Sequence, residues 1–356
     1  MTLAFQKAVL TIVAFASMGA VGHAQTEVTA TLVHNGLTRE YVIYTPANLT
    51  PKAPVVFVLH GGGGNASQIQ AHTDFDTVAD QYGFIVVYPN GIDGAWMDGR
   101  EFREESHDDV GFFAALIDQV IADYDVDPER VFVTGISNGG FMSFQLACRL
   151  SSRIAGISAV TATLANAIVE SCQPEKPIAV LIMNGTDDPL VPYDGGSVTV
   201  FGTQRGEILS TDDTVAFWTT FNQCSDTPSE SALPNAAPLD RTRVHVTEYQ
   251  DCEQPVSLYR VEGGGHTWPG ASQYLPVSLI VVPAAISTQV RSSGGSFHSF
   301  KKHLTLVPHS THSPPPPTNA PCHQGCCMPD TRHGYNAVCH VTKSESQHGI
   351  PRTDGA

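Results

Sequence analysis

The stretch VTGISNGGFMS places a serine, Ser137, between Gly135 and Gly139. A buried-type strand pattern, RVFVTG, precedes this serine, and a helical pattern, NGGFMSFQLACRL, follows it. A sharp turn between a strand and a helix requires small neighbours, and it exposes the serine hydroxyl for nucleophilic attack. A helix N-cap is the simpler alternative, but it leaves the flanking glycines unexplained. The motif therefore predicts that Ser137 is a nucleophile.

A serine nucleophile needs a base to take its proton, and that base needs a carboxylate to orient it. Asp187 and Asp188 follow the buried run IAVLIMNG, and His266 lies in a glycine-rich loop after VSLYRVE. The order serine, aspartate, histidine is that of the α/β-hydrolases. The alternatives are a turn-forming role for Asp188 before Pro189 and an ordinary surface position for His266.

Ester or amide cleavage through a serine also needs N–H groups that stabilise the oxyanion of the tetrahedral intermediate. The run VLHGGGGN ends the first core strand in four glycines, and a backbone N–H near Gly62 is one candidate donor. The N–H of Asn138, next to the serine, is the second. A phosphate-binding loop is the weaker interpretation, because the run lacks both the G-K-[ST] ending and a dinucleotide-type G-x-G-x-x-G pattern.

Alternating strands and helices are required to bring these side chains together. A β-hairpin is predicted about Asn35 and Gly36, and four buried-type runs follow: PVVFVLHG, FIVVYPNG, RVFVTG and IAVLIMNG. Helical patterns with acidic first turns begin at Asp108 and Thr211. This alternation predicts one α/β domain with a mostly parallel central sheet flanked by helices.

Seven segments together resemble a family of secreted esterases that includes polyhydroxybutyrate depolymerases, feruloyl esterases and acetylxylan esterases. They lie within residues 28–280 and are VLHGGGGN, VVYPNG, WMDGR, DDVGF, VTGISNGGFMS, NGTDDPLVPYDGG and VEGGGHTWPG. The resemblance implies the α/β-hydrolase fold, with Ser137 as the nucleophile and His266 as the base. It assigns the carboxylate to Asp188 rather than Asp187.

The resemblance also suggests that Trp96 and Trp268 lie near the acyl pocket, with an ordinary core role as the alternative for each. One departure is Asn184, where the family usually has histidine before Gly-Thr. We interpret Asn184 as a supporting residue that takes no part in the reaction.

The net charge and the N-terminal segment restrict the possible functions of the protein and its cellular location. The formal net charge of -16 argues against a nucleic-acid-binding surface. Residues 1–24 combine Lys7, an apolar run and small residues before Gln25, which predicts a cleaved signal peptide. A membrane anchor is the alternative, although the run is shorter than the ~20 apolar residues of a bilayer span. We therefore expect a secreted protein, extracellular or periplasmic, without membrane attachment after cleavage.

The eight cysteines fall into a dispersed group and a tail group. The tail group consists of Cys322, Cys326, Cys327 and Cys339. The dispersed four allow three disulfide connectivities, and we predict the local pairing, Cys148 with Cys172 and Cys224 with Cys252. Buried free thiols are the alternative in an exported chain.

Residues 281–356 differ in character from the rest of the chain, because they hold eight of the fifteen histidines and a proline run. The family pattern should continue after Ile280 into a final amphipathic helix, and a one-base shift of frame there is compatible with codons for such a helix. We interpret the tail as a frameshift product of low order. A genuine Cys/His extension that binds metal or substrate is the alternative. The predicted domains are a signal peptide (1–24), a catalytic domain lacking its last helix (25–280) and this tail.

The sequence thus predicts a secreted serine carboxylic ester hydrolase that acts by acyl transfer. We expect a monomer that needs no metal or organic cofactor and acts on a polyester oligomer or an acylated plant polysaccharide. Two alternatives stay open: a serine peptidase with the same machinery, and a catalytically impaired protein that binds such polymers.

Overall fold

The computed structural model describes residues 24–102, 107–235, 238–271 and 280. All of these residues belong to the compact unit Met1–Pro308, and the second unit, His309–Ala356, lies outside them. The predicted signal peptide, apart from Ala24, also lies outside the described residues. The same holds for the interpretation of residues 281–356 as a frameshift product and for the missing final helix.

Ten strands of the described chain form one sheet in the order β1-β2-β4-β3-β5-β6-β7-β12-β11-β10, and a separate hairpin pairs β8 with β9. The strands are β1 (Thr26–His34), β2 (Leu37–Thr45), β3 (Ala53–Leu59), β4 (Ile85–Pro89), β5 (Val126–Ile136), β6 (Gly156–Val160), β7 (Ala179–Gly185), β8 (Gly196–Val200), β9 (Thr203–Ile208), β10 (Ser229–Ala232), β11 (Arg243–Glu248) and β12 (Val256–Glu262). The six central strands from β4 to β12 are parallel to one another. Antiparallel pairs extend the sheet at both edges.

Helices cover both faces of this sheet, so the central strands are apolar on both sides. The helices are α1 (Ala66–Thr73), α2 (Phe75–Tyr82), α3 (Asp109–Asp123), α4 (Asn138–Arg149), α5 (Asn166–Val169) and α6 (Thr211–Phe221). Alternate residues of β3 divide between two hydrophobic clusters: Phe57 packs with side chains of α3, α4 and α6, whereas Val58 packs with side chains of α1 and α2. This two-sided burial explains why β3 reads as a continuous apolar run.

The predicted fold class is confirmed, and the predicted elements lie where the patterns place them. The hairpin turns at Asn35 and Gly36, both with positive φ. Helix α3 begins after Asp108, whose carboxylate accepts the N–H of Gly111, and α6 begins after Ser210. Strands β6 and β11, the hairpin of β8 and β9 and the edge strand β10 were not predicted. Among the described residues, no helix has the length and apolar character needed to cross a membrane.

Two disulfides join the dispersed cysteines in the predicted local pairing. One links Cys148 in α4 to Cys172 after α5, and the other links Cys224 after α6 to Cys252 before β12. Each disulfide therefore ties a helix, or the segment that follows it, to a later loop of the chain.

Candidate active site

Ser137 occupies the sharp turn between β5 and α4. Its backbone has φ 55° and ψ −120°, a conformation that L-residues rarely adopt. Its N–H donates to the carbonyl of Val160, and its own carbonyl accepts the N–H of Phe141 in the first turn of the helix. Ser137 is half-buried, whereas its immediate neighbours are buried. The turn thus leaves this serine partly accessible at the carboxyl edge of the sheet.

The flanking glycines are required because the turn packs directly on β3. A Cβ added at Gly139 would lie 2.5 Å from the carbonyl oxygen of Leu59, and one added at Gly135 would lie 2.5 Å from the backbone of Gly139. Neither obstacle is a flexible side chain. Any larger residue at these two positions would therefore displace the serine.

Asp188 and His266 form a buried pair at the same edge of the sheet. The Nδ1 atom of His266 lies 2.8 Å from Oδ2 of Asp188, and both side chains are almost fully buried. The other carboxylate oxygen, Oδ1, accepts the N–H groups of Leu190 and Val191, each at 2.9 Å. Both oxygens of Asp188 are thus engaged, and the carboxylate has a fixed orientation toward the imidazole. Its neighbour Asp187 is exposed, and its carboxylate accepts the hydroxyl of Thr186.

The loop that carries His266 is held against the loop that carries Asp188. The N–H of Asp187 donates to the carbonyl of Gly264, and the N–H of Gly263 donates to Oγ1 of Thr186. The approach is close, because a Cβ added at Gly185 would lie 2.2 Å from the oxygen of Gly264. These contacts, made where the parallel neighbours β7 and β12 both end, explain why residues 78 positions apart meet.

The glycine run after β3 lies beside the serine. A Cβ added at Gly61 would lie 3.5 Å from Cβ of Ser137, and one added at Gly62 would lie 3.8 Å from Cβ of Asn138.

The carbonyl of Gly61 accepts the N–H of Gly64 and faces Nδ1 of His60 at 2.8 Å. In a trans peptide the carbonyl of one residue and the N–H of the next point in opposite directions. The N–H of Gly62 therefore points away from the His60 ring.

His60 is held as a neutral imidazole with a defined tautomer. Its Nε2 accepts the N–H of Gly91 at 2.9 Å, so Nδ1 carries the proton that is donated to Gly61. Burial lowers the pKa of His60 below its usual value, although the bond to Gly61 and the charge of Asp109 act in the opposite direction. The neutral ring thus anchors the start of the glycine run.

The Asn138 side chain joins the serine turn to the segment around Trp96. Its amide oxygen accepts the N–H of Trp96 at 2.8 Å, and its amide nitrogen donates to the carbonyl of Trp96 at 3.1 Å. The same nitrogen donates to Asp98, which also binds the Arg100 guanidinium. The sequence interpretation assigned no role to Asp98 or Arg100, although both lie in the motif WMDGR. Their buried ion pair fixes the segment that Asn138 binds.

The two tryptophans suggested for the acyl pocket are both buried. Trp96 is 0% exposed, with its ring against those of His60 and Phe113. Trp268 is 4% exposed and meets the ring of Phe75 edge to face. The pocket role suggested for these two residues stays a prediction, with a core role as the alternative.

Asn184, interpreted as a supporting residue, makes buried hydrogen bonds near the end of β7. Its amide nitrogen donates to the carbonyl of Ala162 and to Oγ1 of Thr211, and its amide oxygen accepts the N–H of Ala162. These bonds join β7 to the connection after β6 and to the start of α6. Among the described residues, no group of three or more His, Cys, Asp or Glu side chains is placed to hold a metal ion.

Residues 39–179 match the sequence model of the family described as Esterase PHB depolymerase. The "Putative esterase NocK" of Nocardia uniformis subsp. tsuyamanensis is 32% identical over 272 residues, which span 71% of this chain and 77% of that protein. Feruloyl esterase C of Emericella nidulans is 30% identical over 237 residues, or 64% of this chain and 76% of that protein.

A solved structure shares the fold. The acetyl xylan esterase from Aspergillus awamori superposes with a TM-score of 0.51, covering 68% of this chain and 94% of that chain. Its sequence identity of 18% makes this a likeness of fold.

Proposed function

Because this chain belongs to the esterase family of the PHB depolymerases, we propose that it is a secreted serine carboxylic ester hydrolase of the polyhydroxybutyrate depolymerase and feruloyl esterase type. Its substrates are esters, either of polyester oligomers or of acylated plant polysaccharides. The name of its relative from Emericella nidulans, a feruloyl esterase, supports the second class.

The observation that carries the proposal is the buried pair of Asp188 and His266 at the sheet edge where Ser137 turns. A carboxylate that binds Nδ1–H of an imidazole leaves Nε2 without a proton, and that nitrogen is the base a serine nucleophile needs. The strained turn at Ser137 supports the same role, because such a conformation is kept where it presents a reactive side chain.

In the proposed reaction, Oγ of Ser137 attacks the ester carbonyl carbon while its proton passes to Nε2 of His266. The tetrahedral intermediate then collapses, the ester C–O bond breaks, and His266 returns the proton to the leaving alcohol. Water, deprotonated by the same nitrogen, attacks the acyl-serine, the bond between the acyl carbon and Oγ of Ser137 breaks, and His266 returns the proton to Oγ as the carboxylic acid is released. Asp188 holds the imidazole in one tautomer throughout and stabilises its positive charge.

The proposed oxyanion donors are the backbone N–H groups of Gly62 and Asn138. The closeness of Gly62 to Asn138, and the direction of its N–H away from His60, support this assignment. Neither donor needs to reorganise as charge develops on the substrate oxygen, and preorganised donors of this kind contribute most of the rate acceleration in acyl transfer.

We also propose that residues 25–280 form the catalytic domain and that the protein works outside the cytoplasm as a monomer. The two disulfides support an oxidising compartment.

The test is hydrolysis of p-nitrophenyl acetate, methyl ferulate, acetylated xylan and hydroxybutyrate oligomers by the full chain and by Ser137→Ala. We expect at least one ester to be cleaved by the parent and none by the variant. A fluorophosphonate probe should label the parent alone. Cleavage of a peptide anilide in preference to every ester would favour the peptidase alternative, and a folded parent without labelling would favour the polymer-binding one.

A further inference from the structure

Trp96 lies between the two chain segments that carry the proposed oxyanion donors. Its backbone faces the turn at Asn138, and its indole faces the residue that precedes the glycine run. The segment that contains it is itself anchored, because the N–H of the next residue, Met97, donates to the buried carboxylate of Asp109 at 2.7 Å. Asp109 in turn pairs with the buried Arg39. Trp96 is therefore attached to a fixed part of the protein on one side and to both donor segments on the other.

The link from Trp96 to Asn138 uses both polar groups of the Trp96 backbone. Its N–H donates to the amide oxygen of Asn138 at 2.8 Å, and its carbonyl accepts from the amide nitrogen at 3.1 Å. Two bonds of this kind fix both the position and the rotation of the asparagine side chain. The main-chain N–H of Asn138, one of the proposed donors, belongs to the same residue and is held with it.

The link from Trp96 to the glycine run uses the indole. Nε1 donates to the carbonyl of His60 at 2.9 Å, and the indole and imidazole rings lie 4.8 Å apart. A parallel backbone contact joins the same two segments, since the N–H of Gly63 donates to the carbonyl of Gly94 at 2.7 Å. Gly62 is enclosed between these two attachments, at His60 and Gly63.

We infer that Trp96 is a positioning residue that holds the two oxyanion donors at a fixed separation. The inference rests on the proposed function, because it concerns the same reaction. A donor contributes fully only when it lies at hydrogen-bonding distance from the oxyanion, and small displacements weaken that interaction in the transition state more than they weaken substrate binding. Loss of the indole N–H should therefore lower kcat and leave KM almost unchanged.

The variant Trp96→Phe keeps an aromatic ring beside His60 and removes the N–H. The matched control is Trp218→Phe: Trp218 is equally buried, but its Nε1 has no hydrogen-bond partner in the described structure. With p-nitrophenyl acetate, we expect kcat of Trp96→Phe to fall about 10- to 100-fold, with KM within about threefold of the parent. We expect kcat of Trp218→Phe to stay within about twofold, at a similar loss of thermal stability.

A second readout separates positioning from packing. An aryl trifluoromethyl ketone forms an oxyanion when it adds to the serine, so its affinity should fall for Trp96→Phe by the same factor as kcat/KM. If Trp96→Phe does not fold, Asn138→Ala breaks the other link and keeps the main-chain donor, and the same fall in kcat and ketone affinity is expected.

Two failures are distinguishable in this experiment. A parent that cleaves no ester, or that stays active as Ser137→Ala, would refute the proposed function. The positioning role alone would be refuted if the parent shows serine-dependent activity and Trp96→Phe keeps the kcat and the ketone affinity of the parent. If Trp96→Phe is unfolded, the same result with Asn138→Ala would refute it.

Discussion

Asp188 binds Nδ1 of His266 with one carboxylate oxygen while its other oxygen accepts two backbone N–H groups. In Asp188→Asn, the amide oxygen should keep these two backbone donors, so that the NH₂ group faces the imidazole. The ring would then adopt the wrong tautomer for proton abstraction, and kcat for p-nitrophenyl acetate should fall about 10⁴-fold. Asp187→Asn, at an exposed neighbouring position, should keep kcat within about twofold. Equal activity of the two variants would contradict the role of Asp188.

The glycine at 139 should be irreplaceable for steric reasons. In Gly139→Ala the new methyl group would meet the carbonyl oxygens of Leu59 and His60 at 2.5 and 2.7 Å. We expect the free energy of unfolding to fall by about 3 kcal/mol, with loss of esterase activity. Gly36→Ala is the control, because its φ is positive but no atom lies within 4 Å of the added Cβ. In Gly36→Ala the free energy of unfolding should fall by only about 1 kcal/mol. Urea denaturation of both variants measures the difference, and similar midpoints would contradict it.

Removal of the Cys224–Cys252 disulfide should lower stability without changing the reaction. The two cysteines are 28 positions apart, and a loop of this size corresponds to about 3 kcal/mol. We therefore expect the double variant Cys224→Ser/Cys252→Ser to lose about 10 °C in Tm and to keep its kcat at 20 °C. Differential scanning calorimetry, with and without a reductant, tests this. If the Tm of the parent does not change with reductant and the double variant has the same Tm as the parent, the bond contributes nothing to stability.

The buried His60 should make the protein less stable in acid. Its pKa is below the ordinary value in the folded protein because of burial, so below about pH 6.5 the unfolded chain binds a proton that the folded chain does not. The contribution of His60 is complete above that pH and decreases as the pH falls toward its folded-state pKa. Nitrogen-15 NMR should show an Nδ1–H ring that stays neutral at a pH where a free histidine is already partly protonated. A ring that titrates with an ordinary pKa would refute this.

The sequence was informative where the chemistry follows a strand end. Ser137, Asp188 and His266 each come directly after an apolar run or a glycine-rich turn, and parallel strands bring such positions to one edge. The local cysteine pairing was also accessible, because it joins cysteines close in the chain.

The remaining features depend on contacts that no local pattern contains. Asn138 binds the backbone of Trp96, 42 positions away, through a side-chain amide that could equally have been exposed. The family resemblance suggested that Trp96 lies near the acyl pocket, but it gave no sign that the two N–H groups of Trp96 bind Asn138 and His60. Strand β10 is four exposed residues, SESA, without the alternation of apolar side chains that would have revealed it.

The left-handed backbone of Ser137 bears on how the protein would respond to laboratory evolution. A non-glycine residue in this conformation costs about 1–3 kcal/mol, which the surrounding packing must offset. Glycine at this position would relieve the cost and remove the hydroxyl in a single substitution. A screen for heat resistance alone would therefore reward inactive clones, and selection must include turnover in every round.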